Sequence, residues 1–320
     1  MKPPFEINAK ILDLCTEIGR LLGQYEGLKY PVPKPILRRQ NRIKTIQASL
    51  SIEGNTLSIE QVSAIVEHKK VVGPPKDIIE VQNAIKAYSN IPSYNIKSSR
   101  SLCEAHGILM KNLIPNAGKW RSKNVGIVKG KTVAHLAPKA ELVPSLMKNV
   151  FTFLTKDKET HSFIKSSVFH YELEFIHPFS DGNGRVGRLW QSTILTKYHP
   201  LFEYIPLESI VKKRQNEYYK ALEKSDKKGK STDFIEFSLE AIYLAIEEFL
   251  LELRPEPQTP EKRLSLFREQ YKKSIFSRKD YMSFFKTIST PTASRDLLYG
   301  VTRKMLKKKG DKATTRYEFS

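Results

Sequence analysis

Apolar residues recur at intervals of three and four along most of the first 250 positions of this 320-residue chain. This spacing places apolar side chains on one face of an α-helix, as in helices that pack on a core. The clearest stripe consists of Ile11, Leu12, Cys15, Ile18, Leu21 and Leu22. Pro31–Pro33 and Gly54–Asn55 interrupt the pattern where helices are expected to end. The sequence therefore predicts a mainly α-helical bundle.

The same spacing predicts individual helices after the first one. They run over 35–53, over 59–66 behind an N-terminal cap at Ser58, over 78–88, and over 102–113. Helices are also expected on both sides of 177–188, because Ile164, Val168, Tyr171 and Phe175 lie upstream of it and Val186, Leu189, Trp190, Thr193 and Ile194 lie downstream.

One segment departs from the helical period. Val125–Val128 and Thr132–Leu136 flank Lys129-Gly130-Lys131, a pattern typical of a short β-hairpin. A hairpin alone is marginally stable in water. We therefore interpret 124–136 as a functional flap over a helical domain.

The last part of the chain has a different character. The segment from Arg254 to Pro260 is rich in proline and predicts a linker, placed at 253–262. Beyond it, helices are expected over 277–285 and over 290–305, followed by a β-ribbon over 307–319. Helix, helix and ribbon is the order of a winged helix-turn-helix domain, which we place at 263–320.

Charge and composition restrict the compartment and the partners. The net charge is +20, which suggests polyanionic partners such as nucleotide phosphates or nucleic acid. No run of about 18 apolar residues is present, so no membrane helix is predicted. The first residues lack an apolar signal region, and the cytoplasm is the expected compartment. Cys15 and Cys103 are interpreted as buried thiols, although their spacing also permits a disulfide.

The segment 177–188, here called the central loop, carries the chemistry. Its glycines at 182, 184 and 187 match the G-x-G-x-x-G pattern of dinucleotide-binding folds. That pattern requires a preceding strand and a βαβ unit. Since a helical pattern precedes the loop and no parallel strand follows, we reject a dinucleotide-binding fold.

The residue types of the central loop indicate phosphate chemistry instead. Gly182 and Gly184 allow successive amides to converge at the start of a helix, which makes an anion site. Arg185 and Arg188 are three apart and can bind phosphate oxygens. Asp181 among phosphates is expected to hold Mg²⁺. His177 has the near-neutral basicity suited to accept a proton from a nucleophile.

The central loop also resembles the signature of the Fic family, HPFx(D/E)GNGRxxR, at every defined position. The resemblance covers about residues 40–250 and implies a Fic-type helical bundle. It also implies transfer of AMP from ATP to a Tyr, Thr or Ser hydroxyl of a target protein, with release of pyrophosphate. Gly184 stands where the kinase-like branch of the family has lysine, which favours nucleotidyl over phosphoryl transfer.

The resemblance assigns a role to each matching residue. His177 would be the base, Asp181 the Mg²⁺ ligand, and Phe179 the anchor of the loop in the core. The phosphates would be held by Gly182, Asn183, Gly184, Arg185 and Arg188. Tyr218 and Tyr219 resemble residues that border the adenine, although a core role for both stays open. The flap would bind the target segment as an added strand.

Residues 49–55 match the inhibitory motif of the family, (S/T)xxxE(G/N). Ser49 and Glu53 are four apart, so they share one helix face. The resemblance implies that Glu53 pairs with Arg188 and thereby keeps Arg188 from the γ-phosphate of ATP. This implies an N-terminal regulatory region at 1–95 and a catalytic core at 96–252.

Other functions stay open at this point. The C-terminal domain could bind DNA through Thr292, Ser294 and Arg295, with Lys307, Lys308, Lys309 and Lys312 on the phosphates, or it could contact protein. Removal of AMP by the same site is a further alternative. A metal-dependent hydrolase using His161, His170 and His177 is disfavoured by their spacing. The expected partners are ATP and a target protein, without a membrane, while DNA as a partner and a homodimer stay open.

Overall fold

The computed structural model describes residues 2–27, 33, 35–129, 132–253, 259–271, 275–285, 288–311 and 315–320. The chain divides into two compact units, Met1–Leu253 and Arg254–Ser320, and each is described by itself. The break predicted at Pro31–Pro33 and the centre of the predicted linker, 254–258, lie mainly outside the described residues.

The first unit is built from helices, as the apolar spacing predicted. They are α1 (Ala9–Gly27), α2 (Pro35–Ile52), α3 (Ile59–Val66), α4 (Pro75–Ser89), α5 (Ser99–Leu109), α6 (Val143–Lys156), α7 (Ser162–Ile176), α8 (Asn183–Tyr198), α9 (Leu207–Lys213), α10 (Gln215–Lys228) and α11 (Thr232–Leu253). Short 3-10 turns occur at Ile91–Ser93, Ala140–Leu142 and Pro200–Glu203.

The boundaries of some helices differ from the predicted ones, because proline and residues with a left-handed backbone determine where these helices begin or end. α4 begins three residues before the predicted helix, because Pro75 occupies the first helical position. α5 ends at Leu109 instead of 113, and Asn112 then has a left-handed backbone with φ 61°. The cap at Ser58 is confirmed as a capping box with Gln61.

α7 and α8 lie between two hydrophobic core clusters. One cluster joins them to α1 and α11 through residues such as Ile11 and Phe234. The other joins them to α2, α4 and α5 through residues such as Leu50 and Trp190. Both clusters contain residues of 1–95 and of 96–252, so the expected regulatory and catalytic regions pack together in each cluster. The central loop is thus held at the ends of two helices that are buried on both sides.

The predicted hairpin is confirmed as β1 (Gly126–Lys129) paired antiparallel with β2 (Thr132–Leu136). The register joins Gly126 to Leu136 and Lys129 to Thr132, with an irregularity between Ile127 and Val128. The turn at 130–131 lies outside the described residues. In this two-stranded sheet each strand has one neighbour and one open edge.

Within its described residues, the second unit combines three helices with a small antiparallel sheet. Its elements are α12 (Pro260–Gln270), β3 (Ile275–Phe276), α13 (Arg278–Phe284), α14 (Thr290–Thr302), β4 (Leu306–Lys309) and β5 (Arg316–Phe319), and the strand order is β3-β5-β4. Buried Leu264, Phe267, Tyr281 and Leu297 form its core.

Two elements of this unit differ from the sequence prediction. α12 begins inside the predicted linker, because the Thr259 hydroxyl accepts a hydrogen bond from the N–H of Lys262 and Pro260 fits the first helical position. β3 has two residues, too few to show a strand period. The prolines before α12 predicted a linker there, and β3 is too short for a pattern to predict.

No helix in the described ranges is long and apolar enough to cross a membrane. Cys15 and Cys103 are free, half-buried thiols, so they do not form the disulfide that their spacing permits. Burial raises the pKa of each thiol to about 11, which disfavours the reactive thiolate.

Candidate active site

The central loop turns the chain from α7 into α8 with two left-handed residues. His177 has φ 50°, and Gly182 has φ 83°. A Cβ atom on Gly182 would lie 2.5 Å from the sulfur of Met110, so glycine is required there by both backbone and space. The tight turn lets α8 start at Asn183, within the central loop, so the amides of its first turn lie in the loop.

Asn183 and Phe179 tie the loop together. The N–H of Phe179 donates to Oδ1 of Asn183 (2.9 Å), and Nδ2 of Asn183 donates to the Phe179 carbonyl (2.9 Å). The Phe179 ring is fully buried. It stacks on the His106 ring with centroids 3.6 Å apart, and Trp120 contacts it at 4.7 Å. Phe179 therefore lies in the core beneath the loop.

His106 supports the loop from α5 and was not singled out from the sequence. Its Nε2 lies 2.9 Å from the Asp181 carbonyl, and its Nδ1 accepts from the Gly118 N–H (2.9 Å). These partners place the proton on Nε2. Burial lowers the pKa of His106 to about 4, so the ring is neutral near pH 7. In the sequence it shows only as a histidine on an apolar helix face.

Arg121 holds the start of the loop through backbone carbonyls. Its Nε donates to the His177 carbonyl (2.7 Å), and its Nη2 donates to the carbonyls of Ile176 (3.3 Å) and Pro138. Its own N–H donates to the Pro178 carbonyl (2.9 Å). The buried guanidinium thus holds the carbonyls of Ile176 and His177, and the backbone N–H of Arg121 holds the carbonyl of Pro178. The sequence drew attention to 118–121 only as a neighbour of the flap.

His177 lies half-buried at the loop entrance. Its Nδ1 is 3.3 Å from the carbonyl of Glu174. This contact favours the neutral tautomer with a proton on Nδ1 and the lone pair on Nε2. A general base needs that form of the imidazole.

Asp181 and Arg185 form an ion pair in which Asp181 is exposed and Arg185 is buried. Oδ1 of Asp181 accepts from Nη2 of Arg185 (3.0 Å) and from the Gly182 N–H (2.6 Å), and the Asp181 side chain is 53% exposed. Nη1 of buried Arg185 donates to Oε1 of Glu80 (2.7 Å). Glu80 also accepts from Nδ2 of Asn55 (2.8 Å). Arg185, expected on the phosphates, is here held by two carboxylates.

Arg188 points at residues 49–55, the segment that resembles the family's inhibitory motif. Its Nη2 donates to Oε1 of Glu53 (2.7 Å) and to the Ser49 carbonyl (3.0 Å), and its Nε donates to the Ser49 hydroxyl (3.2 Å). Burial would lower the pKa of Arg188, but the Glu53 carboxylate outweighs this and raises it. Its buried Nη1 has no hydrogen-bond partner among the described residues.

Glu53 lies over the glycines of the loop. A Cβ atom on Gly184 would be 2.4 Å from Oε1 of Glu53 and 3.1 Å from Nη1 of Arg188. The carboxylate therefore occupies the space directly above Gly184, where an anion bound by α8 would lie. Carbonyls at the end of α2 are held as well, since Lys212 donates to Ser51 (2.9 Å) and Gln215 donates to Ile52 (3.1 Å).

A chain of buried polar groups lies behind the loop. The Tyr218 hydroxyl is 3.2 Å from both Oε1 of Glu174 and Nε2 of His170, and Nδ1 of His170 is 2.7 Å from Oε1 of Gln191. Burial would raise the pKa of Glu174, but the hydrogen bond from His170 and the electrostatic interactions with its neighbours, Arg188 among them, outweigh this and lower it. Glu174 is therefore ionised beside the candidate base.

The two tyrosines expected near adenine have different positions. Tyr218 is buried, with its hydroxyl in the polar chain just described. Tyr219 is 37% exposed, and Nε2 of Gln215 lies 3.4 Å from its hydroxyl. Of the two rings, Tyr219 has the surface that a ligand could contact.

In the part of the chain that the structure describes, no group of three or more His, Cys, Asp and Glu side chains could hold a metal ion. His161 caps α7 and His170 contacts Gln191, so the three histidines weighed for a hydrolase do not form a ligand set. Asp181 supplies the carboxylate of the central loop, and its side chain is 53% exposed. One carboxylate suffices for Mg²⁺ when substrate phosphates and waters supply its other ligands.

Comparisons with protein families and with curated sequences both find Fic proteins. A model of the Fic/DOC family matches residues 97–195. The chain is 30% identical over 257 residues to the protein adenylyltransferase Fic of Nematostella vectensis, which covers 77% of this chain and 57% of that protein. It is 28% identical over 221 residues to the protein of the same name from Culex quinquefasciatus, covering 65% and 41%. The chain spans about half the length of these curated relatives.

Solved structures are similar over a longer stretch. The crystal structure of a Fic family protein from Desulfovibrio desulfuricans has a TM-score of 0.76 and 35% identity, covering 100% of this chain and 98% of that chain. A fragment of Fic-1 from C. elegans has a TM-score of 0.61 and 20% identity, covering 77% and 72%. The second likeness shows the fold alone.

Proposed function

The chain belongs to the Fic family, and from this premise we propose that it transfers AMP from ATP to a hydroxyl group of a target protein. The observation that carries the proposal is the arrangement at α8: the first amides of the helix, Gly184 and the unpartnered Nη1 of buried Arg188 lie together. Buried donors without partners are rare and indicate an anion that completes them. The likeness to proteins named adenylyltransferase supports ATP as the source of that anion.

The reaction follows from the position of His177 at the entrance of this anion site. The oxygen of a Tyr, Thr or Ser hydroxyl forms a bond to the α-phosphorus, while the bond from that phosphorus to the leaving pyrophosphate breaks. Nε2 of His177 accepts the hydroxyl proton, because Nδ1 is occupied by the Glu174 carbonyl. The amides of the first turn of α8, that of Gly184 among them, and Arg188 hold the phosphates in place for this displacement.

Asp181 would hold Mg²⁺, which neutralises phosphate charge when bound. Its carboxylate is exposed and fixed by the Gly182 amide and by Arg185. Arg185 itself is anchored to Glu80 in the interior. We therefore assign Arg185 to the positioning of Asp181, in addition to the phosphate role that the family resemblance implies.

Glu53 is assigned an inhibitory role. Its carboxylate pairs with Arg188 and fills the space above Gly184, so a phosphate at that place would meet both a negative charge and an occupied volume. In this proposal, region 1–95 regulates and region 96–252 carries the catalytic residues. The two regions pack together in both hydrophobic clusters. In this proposal, Glu53 is therefore released by a local change at the C-terminal end of α2, while the rest of α2 stays packed on the core.

The flap at 124–136 is assigned to the target protein. Its two strands pair only with each other in the described sheet, so an extended segment can add to an open edge by backbone hydrogen bonds. This mode of binding would present a side-chain hydroxyl without requiring a particular sequence at every position.

Removal of AMP is a second candidate activity of the same site. The observation that favours it is the position of the Glu53 carboxylate directly above Gly184, where it could orient a water toward a bound phosphoester. In that reaction Glu53 would be required, whereas in transfer it would be inhibitory.

The proposal is tested by incubating the full chain and candidate target proteins with Mg²⁺ and ATP labelled at either the α- or the γ-phosphate. AMP transfer leaves α-label on protein and no γ-label. Intact mass should show a gain of one AMP moiety. Retention of γ-label would contradict nucleotidyl transfer, and loss of AMP from a modified target would assign the reverse activity.

Glu174→Gln is expected to shift the acid side of the pH–rate profile to lower pH. The ionised carboxylate lies beside His177 and favours its protonated form, so removing the charge favours the neutral base at lower pH. The same change should lower the maximal rate, since a weaker base accepts the proton less well. An unchanged profile with normal ATP binding would show that Glu174 has only a structural role.

A further inference from the structure

The second unit carries a strong positive charge that the proposed catalysis does not use. Residues 261–320 contain sixteen Lys and Arg against six Asp and Glu, a net charge of +10. Charge of this density concentrated in a small unit suggests a polyanionic partner.

α14 turns its acidic residue inward. Asp296 is buried and accepts from Nε (2.5 Å) and Nη2 (2.6 Å) of Arg263, and the Tyr281 hydroxyl donates to it as well (3.2 Å). This two-pronged contact neutralises Asp296 within the core of the unit. The helix is thereby left without a carboxylate on its outer face.

The outer face of α14 suits a groove of nucleic acid. Its members recur at intervals of three and four and are at least partly exposed; they are Pro291, Ser294, Arg295, Leu298 and Thr302. Leu298 is 66% exposed, so its side chain is available for contact. A cation, hydroxyls and one apolar side chain can all contact base edges, the apolar one at a thymine methyl group.

Cations from two neighbouring elements extend this face. Nη1 of Arg278, at the start of α13, donates to the Ser294 hydroxyl (3.1 Å), which places α13 beside the outer face of α14. β4 packs against α14 and carries exposed Lys307, Lys308 and Lys309. Glu318 lies opposite Lys307 and pairs with Lys309 at 3.2 Å, an exposed contact of little strength.

We propose that the second unit is a winged helix-turn-helix that binds duplex DNA, with α14 in the major groove and the β4–β5 ribbon on the adjacent backbone. The element order and the strand order β3-β5-β4 support this assignment. Duplex DNA is favoured over duplex RNA because the major groove of RNA is too narrow for a helix. The assignment does not depend on the catalytic proposal.

The test uses the full chain and a fluorescent duplex DNA of mixed sequence in an anisotropy titration. Binding is expected to weaken steeply with salt, by a slope of about 0.9 per phosphate contacted. Arg278→Glu with Arg295→Glu should weaken it about 10- to 100-fold and reduce the slope. Lys224→Glu, at an exposed lysine of α10, is the control for a charge reversal outside the second unit and should change it little.

Three outcomes would overturn the proposal. The first is no binding of duplex DNA at low salt by the wild-type chain, which would leave the outer face of α14 to protein contacts. The second is binding that survives the double reversal, which would place the DNA elsewhere on the chain. The third is duplex RNA that competes as well as DNA does, which would exclude a helix in the major groove. Since Arg278 and Arg295 lie outside the catalytic machinery, AMP transfer by the double variant should match wild type, which separates this test from the catalytic one.

Discussion

A Glu53→Gly variant is expected to transfer AMP about 10- to 150-fold faster than the wild-type chain at limiting ATP. The change removes the carboxylate that pairs with Arg188 and fills the space above Gly184. Hydrogen bonds to charged groups contribute about 1.5–3 kcal/mol, and each 1.36 kcal/mol corresponds to about tenfold in rate. The Glu53 side chain is 32% exposed, so solvent screening places the expected effect toward the lower end.

The measurement is incorporation of label from α-labelled ATP into protein over time. Glu53→Gln tests charge against volume, because it keeps the side chain above Gly184 and should release only part of the inhibition. Glu67→Gly is the matched control. Glu67 also follows the end of a helix and pairs with an arginine, Arg39, but at the surface, so its loss should leave the rate unchanged. Equal rates for Glu53→Gly and wild type would refute the inhibitory role.

His177→Ala, made in the Glu53→Gly background, is expected to slow AMP transfer by about 10²–10⁴-fold. This is the usual contribution of a positioned general base. ATP affinity should stay near its starting value, because the phosphates are bound by the α8 amides and Arg188. The measurements are the single-turnover rate of label transfer and the dissociation constant for ATP by calorimetry.

His68→Ala is the control for this variant. His68 has the same left-handed backbone as His177, with φ 58° against 50°, and it lies exposed after α3. Any backbone strain of an alanine in this conformation is therefore common to both changes. If the two variants slowed transfer equally, or if His177→Ala retained the full rate, His177 would not be the base.

Much of the site could be predicted because its residues are contiguous. Within 177–188 the base, the carboxylate, the glycines and the arginines follow one another, so residue types alone indicate phosphate chemistry. The relation of Ser49 to Glu53 was also readable, since a spacing of four places both on one helix face. Both residues contact Arg188 in the structure.

The supporting residues could not be found this way. His106, Arg121 and Glu80 reach the loop from other elements, and no sequence spacing relates them to it. Arg185 shows the consequence. Its position in the loop suggested a phosphate ligand, but Glu80 from α4 binds one side of its guanidinium. A partner 105 residues away is decided by helix packing and not by local pattern.

The sequence by itself determined the helical class, the flap hairpin, the composition of the central loop and the basic character of the second unit. These follow from local periodicity, turn chemistry and charge, which act between near neighbours along the chain. Only the tertiary structure decided that Glu53 lies over Gly184 and that Asp296 turns inward from α14. These contacts depend on which helix faces pack together in the hydrophobic cores. The packing is determined by residues that lie far apart in sequence.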